Sequence, residues 1–171
     1  MLFRSGLRSA CDEVGAFCFP RRYITRPADA GSEDHCAIDV ATFDKMASES
    51  EFLFRWTAHG LKYGVGMDAL VALRQGRNVV INVSRAIIAQ VRRDFHRRLI
   101  LLITASDGTL RRRLETRSRD SDGDIEQRIA RAHTISVHGP DVVQIANDGD
   151  LQDAVQAARN AIDEFPSAGP A

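Results

Sequence analysis

Three short, nearly uninterrupted apolar runs constrain this chain most: Asn78-Val-Val-Ile-Asn-Val83, Leu99-Ile-Leu-Leu-Ile-Thr104 and Val142-Val-Gln-Ile-Ala146. Each has the length and β-branched content of a strand. None alternates apolar with polar, so each needs cover on both faces, as in a parallel sheet flanked by helices. Segments of helical periodicity lie between and after them: Ala86 to Phe95, Asp107 or Thr109 through Arg117, Ile125 to Val137, and Leu151 to Phe165. Strand and helix in strict alternation predict an α/β fold with a parallel sheet. Ser118 to Asp124 is polar and is expected to be mobile, and the tail Pro166 to Ala171 is expected to be disordered.

The first half has a different grain. Residues 2–14 carry apolar side chains at helical spacing, with Gly15 as a stop. Residues 17–25 predict a strand, although Pro20 argues against a central position. Residues 26–37 predict a loop, and Asp39 can cap a helix over Val40 to Ser48. Phe52 to Ala58 and Leu61 to Tyr63 predict two strands joined at His59-Gly60. A helix from Met67 to Gln75, stopped by Gly76, leads into the first apolar run. These short strands around one helix predict a small lobe inserted in the larger fold.

Composition narrows the partners. The 171 residues predict one domain, and formal charge is zero, so no global field draws the chain to nucleic acid or to a membrane surface. No apolar run approaches the ~18 residues a membrane helix needs. The N-terminal residues show no apolar core followed by a cleavage site, so no signal peptide is expected. Three cysteines without Cys-x-x-Cys spacing argue against disulfides and zinc and fit a reducing cytoplasm. No metal ligand set is expected. The 23 basic residues include only two lysines, Lys45 and Lys62. A GC-rich genome accounts for such a bias, so phosphate handling must be argued from positions. From Arg92 to Arg131 there are 11 Arg against 7 acids, and from Asp141 onward one Arg against 6 acids, which points to a local anion site.

The densest candidate is Phe19-Pro-Arg-Arg-Tyr-Ile-Thr-Arg-Pro-Ala-Asp-Ala-Gly-Ser-Glu-Asp-His35. Arg21, Arg22 and Arg26, with Thr25 and Tyr23, form a set of phosphate donors, because a guanidinium fork matches phosphate oxygens in pairs. Glu33 and Asp34 can order this loop, hold a cation through water or cap it. His35 and His59 read more readily as hydrogen-bonded structural groups than as catalysts. Arg111 to Arg113 read as a solvated helix face, and His133 and His138 have no ligand spacing.

This stretch, with Trp56-x-Ala-His-Gly-Leu-x-Tyr-Gly64, Asn82-Val-Ser-Arg85, Leu110-x-x-Arg-Leu-x-x-Arg-x-Arg119, Asp124-Ile-x-x-Arg-Ile-x-Arg-Ala132 and Ile145-Ala-Asn-Asp-Gly-x-Leu151, resembles the guanylate-kinase-like P-loop phosphotransferases. The nearer resemblance is to the ribose 1,5-bisphosphate phosphokinases of phosphonate catabolism, over about Phe17 to Ala161. It implies a three-layer kinase fold with a substrate lobe at about 26–66 and a lid at about 117–128. It implies ATP as donor, Mg²⁺ as bridging ion and a sugar phosphate as acceptor. Arg26, Thr25 and Tyr63 would bind the acceptor, with Glu33, Asp34 and His59 nearby. Arg117, Arg119, Arg128 and Arg131 would close on the transferring group, and Asn147 would meet adenine. Tyr63 also reads as lobe core.

Two relatives by fold are told apart by chemistry. Guanylate kinases place a second arginine three residues after the first, where this chain has Asp29. They read the guanine edge with carboxylates, and the corresponding places, Phe54 and Asn82 to Ser84, have none. A guanine donor left unpaired costs about 1–3 kcal/mol, which favours the sugar phosphate.

The resemblance also implies a first central strand and a Gly-x-x-x-x-Gly-Lys-[Ser/Thr] loop just before residues 2–14. No such motif occurs; in Gly60-Leu-Lys-Tyr-Gly-Val-Gly66 the lysine lies between glycines. The expectation is a kinase chain without that strand and loop and impaired in activity. The alternatives are a guanylate kinase and a non-catalytic binding module.

Overall fold

The structure, a computed structural model, describes residues 2–11, 15–28, 34–117 and 136–166. These form two compact units, divided after Ile87.

The first unit opens with α1 (Leu2–Ala10), whose Leu7 is buried, as is Cys11 just beyond it. Two sheets follow. In one, β1 (Phe17–Cys18) runs parallel to β6 (Asn78–Val79), with Phe17 opposite Asn78. The Arg77 guanidinium donates to the carbonyls of Gly15 and Phe17 and fixes the entry to this pair. The other sheet has the order β3-β2-β5-β4 and uses β2 (Arg22–Ile24), β3 (Cys36–Ala37), β4 (Phe52–Ala58) and β5 (Leu61–Gly66). Pairs β2/β5 and β5/β4 are antiparallel, and β2/β3 is parallel. The β4–β5 hairpin turns on His59 and Gly60 at φ 52° and 72°, the doubly positive pattern whose twist suits a two-residue hairpin.

The lobe sheet packs on α2 (Val40–Ser48), which Asp39 caps by accepting a 2.6 Å hydrogen bond from the Thr42 N–H. That bond and the Thr42 hydroxyl hold the Asp39 carboxyl below its usual range. Phe43 of α2 stacks on Phe52 at 4.6 Å, and Tyr23 meets the same ring edge-on at 5.6 Å. Burial, then the charges of Cys36 and Asp68, push the Tyr23 phenol up. Ile24, Phe54 and Val65 are fully buried. The register Ile24 to Tyr63, Arg22 to Val65, Phe54 to Val65 and Trp56 to Tyr63 places these six side chains on one face, with Arg22, Tyr63 and Trp56 less buried than the rest. Helix α3 (Asp68–Arg74) buries Ala69 and Ala72, and Gly76 follows it.

The second unit is strand and helix in turn: α4 (Ile88–Asp94), β7 (Ile100–Thr104), α5 (Asp107–Arg117), β8 (Val142–Ala146) and α6 (Leu151–Asp163). Strands β7 and β8 are parallel from Ile100 opposite Val142 to Thr104 opposite Ala146. Ala154, Val155 and Ala158 of α6 are buried, as is Ile145 of β8. Asp150 caps α6 through the Gln152 N–H. No disulfide joins Cys11, Cys18 and Cys36, and among the described residues no helix is long and apolar enough to cross a membrane.

Four sequence expectations change. Residues 17–25 are not one strand; they leave the first sheet at Cys18 and enter the second at Arg22. Pro20, which is buried and has no N–H to donate, lies in the break. Arg4 donates to the Phe19 and Pro20 carbonyls there, at 3.1 and 2.7 Å. The run from Asn78 is strand only to Val79, with one more bond from the Val80 N–H to the Cys18 carbonyl, because its partner β1 ends before Pro20. Strand β5 continues past Tyr63 to Gly66, and β3 lies within the expected loop 26–37. The expected elements at 118–135 lie outside the described residues.

Candidate active site

The acceptor-side candidates gather where β2 ends. The Thr25 N–H donates to the Lys62 carbonyl at 3.1 Å, and the Lys62 N–H donates back to Thr25 Oγ1 at 2.9 Å. Thr25 thus extends the ladder by one residue, and its hydroxyl proton remains oriented away from the oxygen lone pair that Lys62 uses. Arg26 follows. Its Nε is buried and has no hydrogen-bond partner among the described residues. A buried, unsatisfied guanidinium nitrogen is costly and calls for an explanation.

The backbone around Arg26 is held from the far end of the loop. His35, only 4% exposed, places Nε2 3.1 Å from the Arg26 carbonyl. With Nε2 protonated, the imidazole donates this bond and fixes the carbonyl. The His35 carbonyl accepts from Arg21 at 2.7 Å, and Arg21 Nε pairs with Asp34 at 2.9 Å. Arg21 and Asp34 form an exposed ion pair, and His35 is buried and hydrogen-bonded.

Tyr63 sits beside Ile24 on β5. Its ring stacks on Trp56, centroids 5.4 Å apart and planes 5° from parallel. Arg22 lies over both rings, 5.4 Å from the Tyr63 centroid and 5.8 Å from that of Trp56. Arg22 also donates to the Asn82 carbonyl at 3.2 Å. His59 is exposed at the hairpin turn, where its positive φ serves the turn. Glu33, Arg119, Arg128 and Arg131 lie outside the described residues, and Arg117 ends α5.

In the second unit, Asn147 stands at the carboxyl end of β8, the end of a parallel sheet at which α/β proteins bind nucleotides. Its N–H donates to the Thr104 carbonyl at 2.7 Å and its Oδ1 accepts from Arg113 at 3.3 Å. Next to it, Asp148 Oδ1 accepts from the Ser106 N–H at 2.8 Å and hydroxyl at 2.7 Å. These two donors, with Thr109, hold the Asp148 carboxyl below its usual range. Ser106 in turn caps α5, accepting from the Thr109 N–H at 3.3 Å. Arg22, one of the phosphate donors expected from sequence, lies here over two aromatic rings, whereas the Ser106–Asp148 tie was not singled out as a site feature. The signal for that tie was the hydroxyl residue just ahead of a helix.

No family model matches the chain. A ribose 1,5-bisphosphate phosphokinase PhnN of Desulfomicrobium baculatum is 37% identical over 151 residues, 88% of this chain and 81% of the relative. The protein of that name from Rhizobium etli is 40% identical over 139 residues, 81% of this chain and 70% of the relative. A guanylate kinase from Anaplasma phagocytophilum matches in structure with a TM-score of 0.70, over 98% of this chain and 81% of that one, at 16% identity. The structural likeness shows a guanylate-kinase-like fold. With that fold, and with sequence identity of this depth across most of the relatives' length, the chain belongs to the ribose 1,5-bisphosphate phosphokinase family.

Proposed function

We propose that the chain transfers the γ-phosphoryl group of ATP to the 1-phosphate of ribose 1,5-bisphosphate, giving 5-phosphoribosyl 1-diphosphate in phosphonate breakdown. The observation that carries this reading is the buried, unsatisfied Nε of Arg26 at the end of β2. A phosphate oxygen supplies the acceptor it lacks, and the guanidinium offsets the charge of a dianion approaching another phosphate. Thr25 and Tyr63 contribute hydroxyl donors. The attacking oxygen is already anionic, so no side chain has to remove a proton. One P–O bond to the leaving diphosphate breaks as the new P–O–P link forms. The lobe at about 26–66 would hold the acceptor. The lid at about 117–128, with Arg117, Arg119, Arg128 and Arg131, would neutralise the transferring group.

Phe54 bears on the acceptor class. It stands where a guanylate kinase would present a carboxylate to guanine, and it is 2% exposed in the lobe core. An apolar buried ring cannot satisfy the guanine N–H donors.

On the donor side, the Asn147 amide NH2 can donate to an adenine ring nitrogen, while its Oδ1 accepts from Arg113. The triphosphate end has no match among the described residues, which contain no glycine loop ending in Lys-Ser/Thr. Nor do they gather three His, Cys, Asp or Glu that could hold a metal ion, so Mg²⁺ would rely on phosphate oxygens. ATP would supply the phosphoryl group, and Mg²⁺ would offset the charge of its phosphates.

Incubation with terminally labelled ATP and equal ribose 1,5-bisphosphate and GMP tests the reading. Label is expected in 5-phosphoribosyl 1-diphosphate; preferential appearance in GDP overturns the acceptor assignment.

A further inference from the structure

The Trp56–Tyr63 pair is an aromatic platform of the kind on which a base could stack. Here its faces carry a guanidinium instead. Arg22 lies within 6 Å of both ring centroids and is tied to the Asn82 carbonyl. Strand parity puts Arg22, Ile24 and Tyr63 on one face of the lobe sheet, and Arg26 lies four residues from Arg22 along the same segment. The ring stack and the carbonyl restrict the rotamers of a long side chain, so less freedom is lost when it meets a ligand.

We propose that Arg22 sets the acceptor class by recognising the second phosphate of a bisphosphorylated sugar. Arg26 takes the 1-phosphate that reacts, and Arg22 takes the 5-phosphate. The guanidinium makes the stacking platform cationic, so the lobe selects charge at both ends of a small sugar. Asn82 belongs to this device through its backbone carbonyl. The inference rests on the ribose 1,5-bisphosphate reading above, and deepens it from one phosphate contact to two.

Calorimetric titration of the whole chain with ribose 1,5-bisphosphate and with ribose 1-phosphate tests it. The monophosphate lacks only the group assigned to Arg22. The wild type is expected to prefer the bisphosphate. Arg22→Gln keeps a donor for the Asn82 carbonyl but removes the charge. It should weaken the bisphosphate roughly 10- to 150-fold, the range of a charge-assisted hydrogen bond, and leave the monophosphate within about threefold. Arg22→Lys should recover part of the preference. Equal weakening of both ligands would mean a purely structural Arg22, and unchanged affinities would mean an unused charge; either overturns the inference alone. Failure of the wild type to bind the bisphosphate overturns the functional reading together with it.

Discussion

The His35 imidazole holds the Arg26 carbonyl at 3.1 Å from inside the lobe. This contact ties the Arg26 backbone to His35, nine residues on in sequence. Replacing His35 by Ala removes a buried partner and should cost about 1–3 kcal/mol of stability in denaturant unfolding. His35→Gln, which can still donate, should recover part of the loss and retain ligand binding. A catalytic proton carrier at this position would not be rescued by glutamine.

Gly64 makes room for the core of the same lobe. A Cβ there would lie 2.4 Å from Phe52 Cε1, and that ring is already fixed by Phe43 and Tyr23. Gly64→Ala should therefore destabilise the chain by about 1–3 kcal/mol, the range for overpacked cores. Pairing it with Phe52→Leu should restore part of the loss in a double-mutant cycle.

Asp141 accepts from Arg92 at 2.7 and 3.0 Å and from Arg98 at 2.8 Å, with its side chain 12% exposed. The Arg92 hydrogen bonds pull its carboxyl below the usual range, burial opposes them, and Arg98 adds to the lowering. Because the folded value is depressed, the stability from this group is complete above the unfolded value of about 3.9 and is lost as pH falls through the folded value. Asp141→Asn should cost about 2–3 kcal/mol at neutral pH. The gap from wild type should narrow below about pH 4 in urea titrations; a constant gap would place the effect elsewhere.

Much of the fold was legible because it rests on local rules. The Asp39 cap, the His59-Gly60 turn and the apolar run Leu99 to Thr104 each announce their own structure. The limits of β1 and β6 were not legible, since each depends on a partner far away in sequence and on Pro20 between them. Gly64 and Gly66 concealed the length of β5 by interrupting its apolar pattern, and only the Phe52 ring explains the first of them. Arg26 could be picked out by motif, but its unsatisfied Nε and the His35 contact require the folded loop. Arg22 was legible as a phosphate donor, but its place over Trp56 and Tyr63 depends on the strand register.

The central claim is that Arg26 is kept for an acceptor phosphate at some expense to the fold. Arg26→Met removes the charge and the unsatisfied nitrogen while preserving much of the apolar stem. Titrating ribose 1,5-bisphosphate into wild type and this variant, with thermal unfolding of both, measures the claim directly. Binding is expected to weaken roughly 10- to 150-fold in a variant whose unfolding temperature is unchanged or higher. Undiminished binding, or a variant that loses stability instead, would contradict the claim.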